Sequence, residues 1–309
     1  MSDVSAWPAL VLTAGLATRL RPLSDVRAKA ALPVAGSTII GRILSWLRDA
    51  GVRRVIVNLH HRPESITRLV GDGSEWGLQV RYSWERRVLG SAGGPRHALS
   101  LLDAPRFLVV NGDTLTDCSV PDLVQRHEMS GARVTMAVVS GDVQRYGGVL
   151  VGEDGRVVGF GRSAPVGCRS LHFIGAQAVE ASVFANLPDD EPHETVRRLY
   201  PQLIAASSGG VAAFESRAEF LDVGTARDYH QTVLALAERE GRPIDVGEDS
   251  RIAPNARLVN TIVWDRVTIE RHTELINCIV ADDVVVPSGT RYEHATLVRT
   301  DRGLQAQPF

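Results

Sequence analysis

The sequence contains a single lysine and only three cysteines, and both low counts exclude certain classes of site. Of its 34 basic residues only Lys29 is a lysine, and the three cysteines, Cys118, Cys168 and Cys278, are far apart. Such cysteines do not form a disulfide framework or a metal-binding pattern, and they favour reduced thiols in the cytoplasm. The single lysine indicates a position that needs a compact, mobile ammonium rather than a planar guanidinium. A chance survivor of a general drift from lysine to arginine is the alternative.

Long apolar runs and an excess of charge of either sign are absent as well. No apolar stretch approaches the ~20 residues of a membrane span, and the first residues lack the basic start of a secretion signal. A formal net charge of −2 gives no basic footprint for nucleic acid. We therefore expect a cytoplasmic protein without membrane or nucleic-acid partners. Its 309 residues suffice for about two domains.

Residues 1–240 alternate short apolar strands with amphipathic helices. The segments "PALVLTAG" and "RFLVVNGD" are typical of buried strands, and "TIIGRILSWLRDAG" is typical of a helix. "GGPRHALSLL" predicts a helix with Pro95 near its first position. Thr225, with Asp228 three residues later, is a candidate N-cap of a further helix. This alternation predicts an α/β domain with a Rossmann-like, mostly parallel sheet and helices on both faces.

After a polar linker at 241–250, the chain contains three units that align with a period of 17 residues. The units are 251–267, 268–284 and 285–301, and a tail at 302–309 follows. The aliphatic positions that match are Ile252, Ile269 and Val286, and then Val263, Val280 and Leu297. This period predicts a β-solenoid of about three coils, with ordinary antiparallel strands as the alternative. Because three coils are near the minimum for stability, we expect the module to lean on the first domain or on another subunit.

In "LTAGLATRLRPLSDVRAKAALPVAG" at 12–36, the first predicted strand is followed by a tight run of mostly small residues, Gly15, Leu16, Ala17 and Thr18, which we call the small-residue loop. Small side chains let backbone N–H groups turn inward and approach a polyanion closely. Arg19 adds a guanidinium and Lys29 an ammonium, which bind phosphate oxygens in complementary ways. A glycine turn flanked by surface arginines has a similar composition, so this pattern by itself leaves both interpretations open.

This stretch resembles the signature of the sugar-1-phosphate nucleotidyltransferases, G-x-G-T-R-x-x-P-L-T followed by P-K. The matching residues are Gly15, Thr18, Arg19, Pro22, Leu23 and Lys29, and the departures are Ala17, Ser24 and Ala28. "LGSAGG" (89–94), "VVNGDTLTD" and "FLDVGT" resemble later motifs of the family, so the resemblance covers nearly the whole chain. It is most similar to mannose-1-phosphate guanylyltransferase-like members that end in a left-handed β-helix.

The resemblance implies Mg²⁺-dependent transfer of a nucleotidyl group from an NTP to a sugar 1-phosphate. By this resemblance Arg19 holds the triphosphate and Lys29 contacts the phosphates at the reacting centre. Asp113 and Asp222 each end a predicted strand, and by the same resemblance we expect them to bind the metal ion; a helix or loop cap is the alternative for each. The implied nucleotide-binding residues are Ala14, Gly15, Leu16, Ala17, Thr18, Glu85, Gly90, Ser91 and Ala92. The implied sugar-phosphate-binding residues are Gly148, Arg162 and Gly175, although "GRS" replaces the family's E-K-P and "FIG" its N-A-G.

The base and the sugar stay open at this point. Glu85 can accept both N1–H and the exocyclic amine of guanine, which favours GTP with mannose 1-phosphate or a related hexose or heptose 1-phosphate. It can also accept the single N–H of uracil, or be an ordinary strand-end glutamate. A UTP- or dTTP-dependent enzyme and a non-catalytic subunit that senses sugar nucleotides are the alternatives. A solenoid acyltransferase using His272 or His294 is a third. We also expect structural roles for His60 and His61, and a homo-oligomer through the β-helix.

Overall fold

The structure is a computed structural model that describes residues 3–206, 209–244 and 246–309. Its described residues form two compact units. The first comprises Met1–Gly15, Ile40–Pro63 and Thr67–Leu221, and the second Leu16–Ile39, Glu64–Ile66 and Asp222–Phe309. The segment that carries Arg19 and Lys29 therefore belongs to the same unit as the C-terminal repeats. The predicted boundary at residue 240 stays a prediction, and residue 245 of the predicted linker lies outside the described residues.

Eight α-helices occur among the described residues, and none of them is both long and apolar enough to cross a bilayer. They are α1 (Leu23–Val26), α2 (Ile39–Asp49), α3 (Pro63–Val70), α4 (Gly90–Leu102), α5 (Val120–Ser130), α6 (Val143–Tyr146), α7 (Tyr200–Ala206) and α8 (Ala226–Arg239). The Thr225 hydroxyl accepts a hydrogen bond from the backbone N–H of Asp228 at 3.2 Å, so the predicted N-cap of α8 is confirmed. The three cysteines are free thiols.

The prediction that α4 begins near Pro95 is wrong, because the helix begins five residues earlier, at Gly90. The carbonyl of His193 accepts hydrogen bonds from the N–H groups of Ala92 and Gly93, at 2.9 and 3.2 Å. These bonds satisfy donors of the first turn that would otherwise lack partners. The motif at 89–94, which is similar to a loop of the family, is thus the first turn of a helix.

The strands, in chain order, are β1 (Ala9–Leu12), β2 (Pro33–Val34), β3 (Ser37–Thr38), β4 (Arg54–Leu59), β5 (Gln79–Trp84), β6 (Arg106–Asn111), β7 (Leu115–Thr116), β8 (Val134–Val139), β9 (Val149–Gly152), β10 (Val157–Phe160), β11 (Cys168–Glu180), β12 (Val211–Glu215), β13 (Phe220–Leu221), β14 (Arg251–Ile252), β15 (Arg257–Val259), β16 (Ile262–Val263), β17 (Thr268–Ile269), β18 (Glu274–Ile276), β19 (Ile279–Val280), β20 (Val285–Val286), β21 (Arg291–Glu293), β22 (Ala295–Thr300) and β23 (Gly303–Pro308).

A nine-stranded sheet forms the centre of the first unit. Its order is β10-β9-β11-β6-β1-β4-β5, with β8 beside β11 and β12 beside β8. The pairs β6-β1, β1-β4, β4-β5 and β8-β12 are parallel, whereas β11 is antiparallel to its neighbours and β10 to β9. All of these strands except β10 and β11 therefore run in one direction. The fold is mixed α/β with a mostly parallel central sheet, as the strand–helix alternation predicts.

The register of the central strands brings their carboxyl ends to one edge of the sheet. Leu12 in β1 lies opposite Asn58 in β4 and Asn111 in β6, and Asn58 lies opposite Ser83 in β5. The residues that follow these four strands therefore meet at a common border, which we call the strand-end edge. In open α/β sheets, ligands bind at the carboxyl ends of the strands.

The C-terminal repeats form three stacks of short parallel strands, which fit a β-helix. Each residue pairs with the residue 17 positions on, as in Ile252–Ile269–Val286 and Val263–Val280–Leu297. The predicted period is therefore confirmed. Left-handed backbone corners recur at the same spacing, at Asp249, Arg266 and Asp283 and at Asn260, Asn277 and His294. Most of the segment predicted as a tail is strand β23, which pairs antiparallel with β22.

Within the second unit, the repeats pack against α8. Trp264 is fully buried, and its indole N–H donates a hydrogen bond to the Tyr229 hydroxyl at 3.1 Å. The imidazole Nε2 of His230 lies 2.7 Å from the carbonyl oxygen of Asn260. Among the described residues, α8 supports the short solenoid, and support from another subunit stays a prediction.

Candidate active site

A buried chain of hydrogen bonds joins three neighbouring strands at the strand-end edge. The Asn58 side-chain oxygen accepts from the N–H groups of Thr13 and Ala14, at 2.6 and 3.3 Å. The Asn58 amide donates to Glu85 Oε1 at 2.7 Å, and Glu85 Oε2 accepts from the N–H of Leu89 at 2.9 Å. We call this chain the Asn58–Glu85 relay. It fixes the start of the small-residue loop and the start of α4 against the same two side chains.

The Glu85 carboxyl group is poorly solvated in this position. It is only 6% exposed, and burial raises its pKa above the ordinary value, although the bonds from Leu89 and Asn58 act in the opposite direction. His60 lies in the same network, since its Nδ1 is 3.0 Å from the Glu85 carbonyl oxygen. This contact agrees with the structural role expected for His60.

We expect Asn58→Asp to make the free energy of unfolding strongly dependent on pH. The new carboxyl group would replace an amide that lies 2.7 Å from Glu85, and two carboxylates so close do not both ionise readily. The folded pKa of the pair therefore lies above the unfolded value. The loss of stability is small near pH 4 and grows as the pH rises through the folded pKa, to about 3 kcal/mol at pH 8. Chemical denaturation at several pH values measures it.

The exposed Asn186 provides the matched control for this prediction. Asn186→Asp makes the same chemical change at the surface, where the charge is solvated, so its effect on unfolding should be within about 0.5 kcal/mol at every pH. A loss in Asn58→Asp that is equal at pH 5 and pH 8 would contradict the relay.

The small-residue loop that follows β1 combines exposed backbone with one left-handed residue. Gly15, Leu16, Thr18 and Arg19 are exposed. Ala17 has φ 47° and ψ 43°, a left-handed conformation that favours glycine. The departure of Ala17 from the family signature therefore lies at the one position of this loop where a side chain strains the backbone.

We expect Ala17→Gly to raise the free energy of unfolding by about 0.5–1 kcal/mol, because glycine adopts the left-handed conformation without a Cβ clash. The exposed Ala235 in the interior of α8 is the matched control. There the same substitution should lower stability by about 1 kcal/mol, since glycine is a poor helix former. Urea denaturation of both variants gives the comparison. Equal losses in both would show that Ala17 is not left-handed in solution.

Asp113 follows β6 in a turn that lies tightly against the end of β1. The N–H of Gly112 donates to the carbonyl oxygen of Leu12 at 2.8 Å, and a Cβ atom on Gly112 would come within 2.5 Å of that oxygen. Gly175, with φ +84°, approaches from β11, where a Cβ atom would lie 2.2 Å from Thr114 Oγ1. The structure thus brings Asp113, Gly175 and the start of the small-residue loop together at the strand-end edge.

Asp222 comes directly after β13, whose Leu221 pairs with Leu115 in β7. The backbone carbonyl of Asp222 accepts a hydrogen bond from Thr232 Oγ1 at 2.8 Å. Across residues 3–206, 209–244 and 246–309, no group of three or more acidic, histidine or cysteine side chains forms a metal-binding cluster. The predicted metal site of Asp113 and Asp222 is smaller than such a cluster and stays a prediction.

The predicted nucleotide-binding residues of α4 lie in its first turn and contact the segment at 193–195. Ser91 Oγ lies 3.0 Å from Glu194 Oε2 and 2.9 Å from Thr195 Oγ1. Gly90 has φ +76°, and a Cβ atom on it would lie 2.7 Å from the His193 carbonyl oxygen. Only glycine allows this close approach, so the first turn of α4 is built by contacts with a distant part of the chain.

The three predicted sugar-phosphate-binding residues fall into two places. The N–H of Gly161 donates to the Gly148 carbonyl oxygen at 2.9 Å, which places Gly148 beside the exposed Arg162 at the β9–β10 hairpin. Gly175 lies instead beside the Asp113 turn. In the second unit, the exposed Arg19 lies in a 3₁₀ turn at Thr18–Leu20, and the half-buried Lys29 begins another at Lys29–Ala31.

The sequence analysis assigned no role to Asn58, although the sequence contains a signal for one. Asn58 is a polar residue near the end of the otherwise apolar strand "VIVNL", and it is 3% exposed. A buried amide needs hydrogen-bond partners on both its oxygen and its nitrogen. An asparagine in a buried strand beside a small-residue loop is therefore a signal for a residue that positions the loop.

The central strands form a mostly parallel α/β sheet whose carboxyl ends meet at the strand-end edge, and this is where open α/β sheets bind their ligands. The chain belongs to the nucleotidyl transferase family, whose sequence model matches residues 8–239. It is therefore a nucleotidyltransferase.

Individual relatives and solved structures agree with the family assignment. The chain is 29% identical to a mannose-1-phosphate guanylyltransferase of Mycobacterium tuberculosis over 91% of its own length and 81% of that protein. It is 27% identical to a UTP–glucose-1-phosphate uridylyltransferase of Synechocystis, over 85% of the chain and 72% of that protein. The crystal structure of HddC from Yersinia pseudotuberculosis complexed with GMP-PN has a TM-score of 0.64 and 23% identity, covering 74% of the chain and 99% of HddC. The likeness to HddC concerns the fold alone.

Proposed function

We propose that this protein transfers a nucleotidyl group from GTP to mannose 1-phosphate, or to a related hexose or heptose 1-phosphate, and releases pyrophosphate. The observation that carries the proposal is the strand-end edge of a nucleotidyl transferase fold, where the start of the small-residue loop, the Asn58–Glu85 relay and the Asp113 turn meet. GTP is favoured because the guanylyltransferase relative is similar over 91% of the chain.

In the proposed reaction, a phosphate oxygen of the sugar 1-phosphate attacks the α-phosphorus of the nucleoside triphosphate. A new O–P bond forms, and the bond to the pyrophosphate oxygen breaks with its electron pair on pyrophosphate. The attacking phosphate is already ionised, so the reaction requires no general base. Both substrates are anionic, so the task of the protein is to align them and to neutralise their charge.

The residues of the chain divide this task by their chemistry. Arg19 is exposed next to the small-residue loop, and its guanidinium suits the bidentate binding of phosphate oxygens. Lys29 supplies a compact ammonium for the phosphates at the reacting centre. Gly148, Arg162 and Gly175 would bind the sugar phosphate.

Asp113 and Asp222 fit a magnesium site by their donor set. Mg²⁺ binds through one or two carboxylates together with substrate phosphates and keeps several waters, so two aspartates suffice. When bound, Mg²⁺ would add positive charge beside the phosphates. Asp113 meets the requirement for a partly accessible carboxylate at the strand-end edge, since it is half-buried in the turn after β6.

Glu85 would bind the base only through the carboxylate lone pairs that the Asn58–Glu85 relay does not use. Each of its oxygens already accepts one hydrogen bond, from Asn58 or from Leu89. A carboxylate has about four acceptor positions, so the remaining lone pairs can still accept N1–H and the exocyclic amine of guanine. The uridylyltransferase relative makes UTP the second candidate.

A matrix of nucleoside triphosphates and sugar 1-phosphates tests the proposal. We expect Mg²⁺-dependent pyrophosphate release, with GTP and mannose 1-phosphate or a related hexose or heptose 1-phosphate as the best pair, and none in EDTA. Turnover with UTP or dTTP alone would transfer the proposal to that base. If the chain binds a sugar nucleotide tightly but no pair releases pyrophosphate, the protein is a sensing subunit and the catalytic proposal fails.

We also propose that residues 1–240 carry catalysis and that the C-terminal strands form a short left-handed β-helix through which the protein self-associates. The parallel stacks with their regular left-handed corners support the β-helix. Light scattering on the full chain and on a variant with charged substitutions on the exposed solenoid residues Val285 and Ile252 tests the self-association.

A further inference from the structure

The residue two positions before Lys29 is bound by the solenoid. Arg27 Nε and Nη2 donate to the two carboxylate oxygens of Asp282 at 2.7 and 2.6 Å, and Nη2 also donates to Asp265. The guanidinium lies over the Trp264 ring, 5.3 Å from its centroid. The Arg27 side chain is 13% exposed, so this bidentate pair is largely shielded from water.

The other side of the Lys29 turn is bound by the same part of the solenoid through one intermediate. The Trp264 indole N–H donates to the Tyr229 hydroxyl at 3.1 Å, and that hydroxyl donates to the Pro33 carbonyl oxygen at 2.7 Å. Trp264 and Tyr229 are fully buried. Lys29 therefore lies between two anchored positions, Arg27 and Pro33, and all of these residues belong to one compact unit.

The two acidic partners occupy equivalent places in successive coils. Asp265 and Asp282 are 17 residues apart, and the N–H of Asp265 donates to Asp282 Oδ1 at 3.1 Å. In the third coil the equivalent residue is Arg299, so the acidic pair is confined to the first two coils. The repeat does not need these aspartates for its core, which is formed by the aliphatic positions. The pair accepts backbone N–H bonds in its own coils, where Asp265 Oδ1 accepts from Glu248 at 3.0 Å, and it also binds Arg27.

We propose that Arg27, Trp264, Asp265 and Asp282 are positioning residues that hold the Lys29 turn in its productive place, so that the first two coils affect turnover through that turn. We call this set the coil clamp. The inference rests on the proposed function, in which Lys29 contacts the reacting phosphates. A guanidinium held bidentately by a carboxylate has a fixed direction. Small displacements of a group at a reacting centre are costly, so a loosened turn lowers turnover.

Two neighbouring aspartates give a matched test. Asp282→Asn weakens the coil clamp, whereas Asp283→Asn breaks the pair in which Arg266 donates to Asp283 at 2.7 and 2.9 Å. Both changes remove one carboxylate of an Arg–Asp pair in the same coil. We expect backbone amides at 28–32 to exchange hydrogen about tenfold faster in Asp282→Asn, with no change in Asp283→Asn. We expect kcat to fall about tenfold in the first variant only, with little change in the KM for the triphosphate.

Two further variants separate positioning from general destabilisation. Arg27→Lys keeps the charge but not the bidentate fork, so its kcat should lie between those of the wild type and Asp282→Asn. Tyr229→Phe keeps the aromatic ring and its volume and removes only the hydroxyl that joins Trp264 to the Pro33 carbonyl oxygen. It should speed hydrogen exchange at Leu32 and Val34 more than in strands β1 and β4, which keeps the test valid if Asp282→Asn folds poorly.

The outcomes decide between the clamp and a merely structural contact. Unchanged exchange at 28–34 in both Asp282→Asn and Tyr229→Phe would overturn the proposal. Faster exchange with unchanged kcat would overturn it too, since the turn would then be held without consequence for the reaction. If the wild-type chain releases no pyrophosphate with any substrate pair, the proposed function fails. The exchange comparison in that case still shows whether the coils hold the turn.

Discussion

Turnover should fall about 10²-fold or more when Lys29 is replaced by arginine, although the positive charge is kept. The ammonium is a compact group on a flexible stem, whereas the guanidinium is planar and larger, so it places its charge differently. Lys29 is the only lysine among 34 basic residues, and its turn is anchored on both sides by the coil clamp. A segment held so firmly has little freedom to accommodate the larger group. Steady-state pyrophosphate release measures kcat.

Two controls make the result specific to the shape of the group. Lys29→Met removes the charge, and we expect its loss of turnover to be at least as large as that of Lys29→Arg. Arg53→Lys makes the reverse exchange at an exposed position of the first unit and should leave kcat unchanged. Near-wild-type turnover in Lys29→Arg would mean that this lysine is a chance survivor and that any cation serves at position 29.

Much of the fold could be predicted because local patterns determine it. The strand "ALVL" is apolar at every position, as expected for a parallel strand covered on both sides. The segment "PESITRLV" has the pattern of a helix and forms α3, Pro63–Val70. The 17-residue period follows from side chains that stack directly above one another in successive coils. In each case the information lies within a few residues or within one repeat.

The parts that escaped prediction depend on partners far away in the chain. The start of α4 is defined by His193, about 100 residues later, and no local cap replaces that contact. Arg27 and Asp282 are separated by 255 positions, so nothing near Arg27 distinguishes it from the other arginines. Asn58 is the exception, since a buried asparagine in an apolar strand is itself a signal. The candidate site residues were thus proposed one by one from motifs, whereas the contacts that hold their segments in place are seen only in the structure.

Because the Lys29 segment and the solenoid belong to one compact unit, we expect removal of the solenoid to disturb the Lys29 segment. A truncated chain that ends near residue 240 would keep every residue implied by the family signature and lose Trp264, Asp265 and Asp282. Arg27 would then lose both of its carboxylate partners, and Tyr229 would lose its contact with Trp264. The signature residues therefore do not include all of the residues on which we expect turnover to depend.

The second large effect should follow from Asp113→Asn, which we expect to lower kcat by about 10²–10³-fold with little loss of stability. The amide has nearly the same shape but lacks the charge that a hard cation prefers. Asp113 is half-buried, and its turn is fixed by the bond from Gly112 to Leu12. We therefore expect the backbone of this turn to keep its position in the variant. The concentration of Mg²⁺ that gives half-maximal turnover should rise as well, which an effect on folding alone would not cause.

The exposed Asp122, at the start of α5, is the matched control, and Asp122→Asn should change neither kcat nor the dependence on Mg²⁺. Asp222→Asn completes the comparison. If both aspartates bind one cation, each single variant removes most of the metal-dependent rate, and the double variant is little worse than either. Fully additive losses, or a half-maximal Mg²⁺ concentration that stays the same in Asp113→Asn, would contradict a shared site, because two independent carboxylates have no common ligand through which their effects could overlap.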